Sequence, residues 1–112
     1  MKNLQEQIEQ LQFQQQILLL MLKDSKHQLY YLIVKKNLTK KETEELLKTC
    51  EELSMKYKKQ KAEGYLHFSP LLFELQSKLP SKIEVAELVE ACLKQGVFQS
   101  LMREMKNLLV DG

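Results

Sequence analysis

The chain has 112 residues, with 17 basic and 15 acidic side chains and a formal net charge of +2. This length suits one compact domain and is too short for two independent ones. Only three Gly and two Pro are present, and the abundant Leu, Lys, Glu and Gln are strong helix formers. The composition therefore argues against an all-β fold, a collagen-like chain and a loop-rich disulfide scaffold, and predicts one all-α domain over residues 1–112.

The first predicted helix runs from Asn3 to about Lys23. Its apolar residues recur at alternating spacings of three and four, as in a coiled-coil heptad, with Gln15 as the one polar position. Seven Gln between residues 5 and 16 coat the other faces, whereas residues 17–22 are apolar all round. A helix that is apolar on every side has to be enclosed. The heptad residues, here called the seam, are Leu4, Ile8, Leu11, Leu18 and Leu22.

Capping signals divide the chain after this helix. Ser25 with Gln28 resembles a capping box and predicts a break near residues 24–25, followed by a second helix over about 26–36. Asn37 suits the left-handed position after a helix, and Thr39 with Glu42 forms a second capping box. The third predicted helix then extends to residue 63, where Gly64 ends it.

Three further helices are predicted in the second half of the chain. Residues 65–68 form a short extended link that should lie against the core, and Ser69 should cap a helix that ends near residue 79, before Pro80. Ser81 with Glu84 predicts a capped helix as far as residue 95, closed by Gly96, and the last helix covers about 97–110. The expected architecture is a multihelical bundle of five to six helices, with residues 26–110 forming the bundle and residues 1–23 the long N-terminal helix.

The length of the first helix predicts self-association. Twenty-one helical residues span about 31 Å, whereas a compact chain of this size has a radius of gyration near 13 Å. Leaving the leucines of residues 18–22 in water would cost about 1.5–3 kcal/mol each, and a second copy is the natural cover for a seam of Leu and Ile. We expect a homo-oligomer, dimer or trimer, that acts through protein–protein contacts with a partner still to be identified. The alternative is that this helix forms the centre of a monomeric bundle.

The reactive residues do not form a recognisable catalytic or metal-binding motif. His27 and His67 lie 40 residues apart, and neither has a Cys or carboxylate at a known ligand spacing. We therefore predict no enzyme, no cofactor and no metal. Cys50 and Cys92 each lie in a helical apolar pattern, which favours reduced core thiols and a cytoplasmic protein. The longest apolar run has six residues, against about 20 for a membrane span.

Nucleic-acid binding is the alternative function. Residues 35–61 contain nine Lys and five Glu, a local charge of +4, and the predicted helix over 40–61 ends in a lysine cluster. Interleaved Glu and a single Arg in the whole chain argue for a solvated helix face instead. Association of residues 18–22 with a membrane surface is a further option. The candidate basic residues are Lys35, Lys36, Lys40, Lys41, Lys56, Lys58, Lys59 and Lys61.

Four segments carry a resemblance to a known family: LIVKKNLTKKE at 32–42, CEELS at 50–54, QKAEGYLHF at 60–68 and KQGVF at 94–98. From about residue 30 onward the chain resembles the YhaI-like proteins, small cytoplasmic proteins of Bacillus and its relatives with a domain of unknown function. The resemblance implies an all-α, self-associating protein. It brings no catalytic residues, cofactor or substrate.

Overall fold

A computed structural model describes residues 3–111, which form six α-helices and no strand. The all-α prediction is confirmed over this range, and residues 1, 2 and 112 of the predicted domain lie outside it. The helices are α1 (Leu4–Lys23), α2 (Gln28–Lys35), α3 (Lys40–Ala62), α4 (Ser69–Lys78), α5 (Val85–Gln95) and α6 (Gln99–Asp111).

The break between α1 and α2 is where the sequence predicts it, but its hydrogen bonds differ from the predicted capping box. The Ser25 hydroxyl donates to the Leu22 carbonyl at 2.8 Å and accepts from the His27 amide at 3.0 Å, and His27 is the N-cap of α2. The Gln28 amide group instead reaches back to the end of α1 and donates to the carbonyl oxygens of Lys23 at 2.7 Å and Ser25 at 2.9 Å. Gln28 therefore stabilises the end of the preceding helix.

The junction between α2 and α3 confirms the strongest sequence signals. Asn37 adopts a positive φ of 56°. The Thr39 hydroxyl accepts from the Glu42 amide at 3.1 Å, while the Glu42 carboxylate accepts from the Thr39 amide at 2.9 Å. Lys82, in the turn before α5, donates to the same carboxylate at 2.9 Å and to the Asn37 carbonyl at 3.0 Å. The backbone hydrogen bond from Thr39, followed by the Lys82 ammonium, lowers the pKa of Glu42.

The predicted link over 65–68 is corrected in part. Phe68 alone is buried and packs edge-on against Tyr57, with ring centroids 4.8 Å apart. Tyr65 and Leu66 are exposed, as is His67. The side chains of residues 65–67 therefore lie in solvent, and Phe68 alone attaches this link to the core.

Three predicted helix starts are also shifted. Phe68, not Ser69, is the N-cap of α4, and Glu84, not Ser81, is the N-cap of α5. In the second case a turn places buried Ile83 in the core, with its amide donating to the Pro80 carbonyl at 3.1 Å, so residues 81–83 are not helical.

The last helix starts at residue 99 and not at 97. Gly96, with φ of 80°, closes α5 in a Schellman-type ending in which the Val97 amide donates to the Cys92 carbonyl at 3.0 Å. The chain then leaves helical geometry for two residues, and Phe98 takes a φ of 52°.

The core lies entirely outside α1. Helices α2–α6 bury their apolar faces together, whereas none of the 20 residues of α1 is buried. α1 packs chiefly against α2, and the described molecule is elongated, 65 × 25 × 22 Å with a radius of gyration of 17.0 Å, against about 13 Å for a compact chain of this length. Fully buried members of the core are Leu29, Leu46, Cys50, Leu53, Leu75, Leu88, Val89, Cys92, Leu101, Met102 and Met105.

Candidate functional site

The seam of α1 is exposed in the single chain. Its first four members, Leu4, Ile8, Leu11 and Leu18, have between 41% and 71% of their surface accessible, and Leu22 is half-buried. α2 is the helix that packs most against α1, and its eight residues span about 12 Å against about 30 Å for α1. Much of the seam therefore has no helix beside it.

An apolar groove follows the C-terminal part of the seam. Its volume is about 410 Å³, and Val34 of α2 forms one wall. Three seam residues, Leu11, Leu18 and Leu22, line this groove together with neighbouring residues of α1. The lining residues are Leu11, Gln14, Gln15, Leu18, Leu19, Met21, Leu22 and Val34.

A second apolar stripe on α1 was not recognised in the sequence. Phe13, Ile17 and Leu20 are exposed by 58%, 44% and 67%, and their spacings of four and three place them on one face. At about 100° per residue, this face is centred about 180° from the seam. The signal was available, because the same spacing rule that identifies the seam also identifies these three residues. We call them the back stripe.

The surface of α1 carries little charge. Glu6, Glu9 and Lys23 are its only ionisable side chains within Leu4–Lys23, and Gln5 donates to the Glu9 carboxylate at 3.1 Å. The flanks of the seam are glutamine amides, which both donate and accept hydrogen bonds. This surface is apolar with an amide border, so it offers little to a strongly charged ligand.

The candidate basic residues do not form one patch. α3 separates Lys40 and Lys41 from Lys58, Lys59 and Lys61 by about 30 Å along its axis. The candidate basic residues therefore lie in at least two separate places on the surface, and nucleic-acid binding through them stays a prediction.

Several of these lysines already have partners. Lys36 pairs with Glu87 at 3.2 Å, Lys56 with Glu74 at 3.2 Å and Lys40 with Glu44 at 4.0 Å. The Lys35 and Lys61 ammonium groups each lie 5.7 Å from a tyrosine ring centroid.

Lys41, Lys58 and Lys59 make no ion pair among residues 3–110. Tyr57, the aromatic residue beside the lysines at the end of α3, is only 5% exposed. Its ring packs on Phe68, so a base cannot stack on it without rearrangement of the core.

The two histidines are exposed, whereas the two cysteines are buried in the core. His27 stacks near Tyr30 at the α2 N-terminus, with ring centroids 6.0 Å apart. Cys50 and Cys92 are free thiols in contact within the core, as the sequence predicts for reduced core residues. The contact with Cys50, together with burial, raises the pKa of Cys92. Within the described range, no three His, Cys, Asp or Glu side chains are grouped so that they could hold a metal ion.

A comparison with known protein families supplies the identity. A family described as "Protein of unknown function (DUF1878)" matches residues 1–110. The chain belongs to the DUF1878 family. Because the match covers residues 1–110, α1 and both of its apolar stripes lie within the matched region.

None of the helices described between residues 3 and 111 is long and apolar enough to cross a bilayer. The apolar character of α1 is concentrated in residues 17–22 and in two narrow stripes, shorter than the roughly 20 consecutive apolar residues that a spanning helix needs.

Proposed function

We propose that this DUF1878 protein is a non-enzymatic helical protein that associates with copies of itself through α1 and acts through protein–protein contacts. The observation that carries the proposal is the contrast within one chain: α2–α6 bury their apolar faces, while the seam on α1 stays exposed.

The free energy of burial supports this proposal. Fully burying a Leu, Ile, Phe or Met side chain contributes about 1.5–3 kcal/mol. A side chain that is roughly half exposed would therefore contribute about 1 kcal/mol more if a partner covered the rest of it. α1 exposes eight such side chains: Leu4, Ile8, Leu11, Phe13, Ile17, Leu18, Leu20 and Met21. Large exposed apolar patches mark interaction sites. The exposed apolar residues of α1 extend along nearly the whole helix, from Leu4 to Met21.

The chemistry of the border favours a second copy as the partner. Gln14 and Gln15 line the groove beside the leucines, and an amide side chain is complementary to another amide because it donates and accepts at once. A strongly charged partner would need opposite charges, and the groove lining contains no ionisable residue.

The decisive experiment measures the mass of the intact protein in solution by light scattering after size-exclusion chromatography. We expect a mass above that of one 13.2 kDa chain at micromolar concentration. The double variant Leu11→Lys/Leu18→Lys should reduce this mass to one chain, because two charges in the groove would have to be desolvated in the contact.

The matched control is Leu66→Lys, which introduces the same charge at a leucine that is 84% exposed in the connection between α3 and α4. This variant should keep the wild-type mass. A wild-type mass of one chain across the micromolar range would contradict the proposal, and far-UV circular dichroism establishes that each variant is folded.

We also propose that this chain is one of the YhaI-like proteins and that it is cytoplasmic. The four motifs between residues 32 and 98 support membership of the YhaI-like proteins of Bacillus and its relatives. The free, buried thiols of Cys50 and Cys92 support a cytoplasmic location, where thiols are kept reduced.

A further inference from the structure

A small polar cavity lies between the second half of α3 and the start of α6, two helices that pack against each other. Its volume is about 250 Å³, just below the roughly 300–1,000 Å³ of pockets that take drug-sized ligands. We call it the α6 cavity. Its lining comes from α3, from α6 and from the connection between α5 and α6, so it is separate from the apolar faces of α1. The lining residues are Ser54, Lys58, Gly96, Phe98, Gln99, Ser100 and Leu101.

Three backbone amides at the start of α6 have no protein acceptor. The first hydrogen bond of this helix runs from the Met102 amide to the Phe98 carbonyl at 2.9 Å, and between residues 3 and 111 no acceptor pairs with the amides of residues 99–101. Phe98, the residue before the helix, has no side-chain oxygen with which to cap them. Free amides, together with the positive end of the helix dipole, favour an anion at this position.

The Ser54 hydroxyl is a second, independent feature of the cavity. Its oxygen is buried and has no hydrogen-bond partner within the described part of the chain, and a buried hydroxyl without a partner is unfavourable. Ser54 lines the cavity from α3, whereas the free amides line it from α6. A ligand with several acceptor oxygens would satisfy both sets of donors at once.

The charged side chains around the cavity are mostly cationic. Lys58 lines the cavity and makes no ion pair among residues 3–110. Ser100 also lines an adjoining depression, together with Lys61, Arg103 and Glu104. The two linings thus contain three cationic side chains and one carboxylate, so the local field favours an anion.

We propose that the α6 cavity binds a phosphate group, either as free phosphate or as the monoester of a small molecule. A phosphate group carries acceptor oxygens on all sides, which suits amide, hydroxyl and ammonium donors that come from two helices. A carboxylate has only two oxygens and would leave more of these donors without a partner. Nucleic acid is bound through contacts to many phosphates, whereas this cavity holds one. The proposal goes beyond self-association through α1 and does not depend on it.

The test is a titration of the intact protein with inorganic phosphate and, separately, with the simple monoester glycerol 3-phosphate at constant ionic strength. Calorimetry measures the affinity, and NMR of the backbone amides locates the site. We expect saturable binding with a Kd of about 1 mM or lower, with the largest amide shifts at residues 99–101. Equal affinities would identify free phosphate as the ligand, and tighter binding of the ester would identify a small phosphorylated compound.

Two variants remove one donor each from the α3 side of the cavity. Lys58→Gln should weaken phosphate binding by about tenfold because it removes a charged donor, and Ser54→Ala should weaken it by about threefold because it removes a neutral one. Lys59→Gln is the control for the charge, since Lys59 makes no ion pair among residues 3–110 and lies outside the lining. Ser77→Ala, at an exposed serine of α4, is the control for the hydroxyl. Both controls should keep the wild-type affinity.

Three results would overturn the proposal. The first is the absence of saturable binding of either compound by the wild type up to about 10 mM. The second is an equal loss of affinity in Lys58→Gln and Lys59→Gln, because that pattern indicates general attraction to positive charge. The third is a set of amide shifts that excludes residues 99–101. Far-UV circular dichroism checks that each variant is folded.

Discussion

The helices α1 and α3 are of similar length, 20 and 23 residues, yet they differ in how much of their surface the rest of the chain covers. α3 carries many charges and still buries Leu46, Thr49, Cys50, Leu53 and Tyr57. α1 has only three ionisable side chains, and none of its described residues is buried. The comparison teaches that the apolar content of a helix does not decide whether one chain can cover it. The decisive factor is how many helices pack beside it, and α1 packs chiefly against the short helix α2.

The largest difference between the two regions should appear when one leucine is truncated in each. Leu75 is fully buried in α4, whereas Leu18 is 58% exposed on α1. Leu75→Ala should lower the free energy of unfolding by about 2–5 kcal/mol because it leaves a cavity. Leu18→Ala, measured on protein diluted until it is monomeric, should change it by less than about 0.5 kcal/mol. Urea unfolding followed by circular dichroism measures both, and equal losses would erase the distinction between the two regions.

The two helix caps provide a smaller test of the same comparison. Thr39 caps α3, and the Asn3 side chain caps α1 by accepting from the Glu6 amide at 2.8 Å. Thr39→Ala should destabilise the protein by about 1 kcal/mol, as is typical for loss of an N-cap. Asn3→Ala should reduce the helical content of the diluted monomer slightly and leave the unfolding midpoint of α2–α6 unchanged. A shift of the midpoint as large as that of Thr39→Ala would show that α1 contributes to the core.

The acid side of the stability curve should respond to Glu42. The pKa of Glu42 is lowered in the folded protein from its ordinary value of 4.5, so its contribution is present above pH 4.5 and is lost as the pH falls through the lower folded value. Glu42→Gln should therefore flatten the loss of stability below pH 4.5. Glu9→Gln is the matched control on α1. The measurement is the unfolding midpoint between pH 3 and pH 6, and an unchanged acid limb in Glu42→Gln would refute the assignment.

The smallest expected effect concerns nucleic acid. Because the basic residues lie at two ends of α3 and several are paired, we expect no retardation of DNA or RNA in a gel-shift assay even at low salt. Lys58→Glu/Lys59→Glu is the comparison variant. Binding by the wild type that falls steeply with salt, and that this variant abolishes, would support the alternative function.

The local signals in the sequence predicted most helix boundaries because those boundaries depend on short-range chemistry. Asn37, the Thr39–Glu42 pair, Gly64 and Gly96 each act within a few residues, through backbone conformation or a single side-chain cap. Ser81 failed as a cap because burying Ile83 requires a turn at that point. That requirement comes from residues distant in the chain, which a local pattern does not contain.

The candidate site was predicted in part for a similar reason. The seam can be predicted from heptad spacing alone. Its exposure depends on how the other helices pack, which the spacing does not show. The groove needs Val34, which lies 12 residues beyond Leu22 and reaches α1 only after the chain reverses. The back stripe of Phe13, Ile17 and Leu20 was not predicted because residues 17–22 are apolar on every side. That pattern alone does not distinguish one face of the helix from another.

The side chain of Gln28 has a consequence for the geometry of the whole molecule. Its amide donates to three carbonyls at and just beyond the end of α1 from the first residue of α2, across a connection of four residues. Together with the Ser25 hydrogen bonds and the packing of α1 against α2, this side chain holds the direction in which α1 leaves the bundle. Shortening this side chain to alanine would remove one restraint from the junction, so that the direction of α1 would become less fixed while its exposed apolar surface stayed the same.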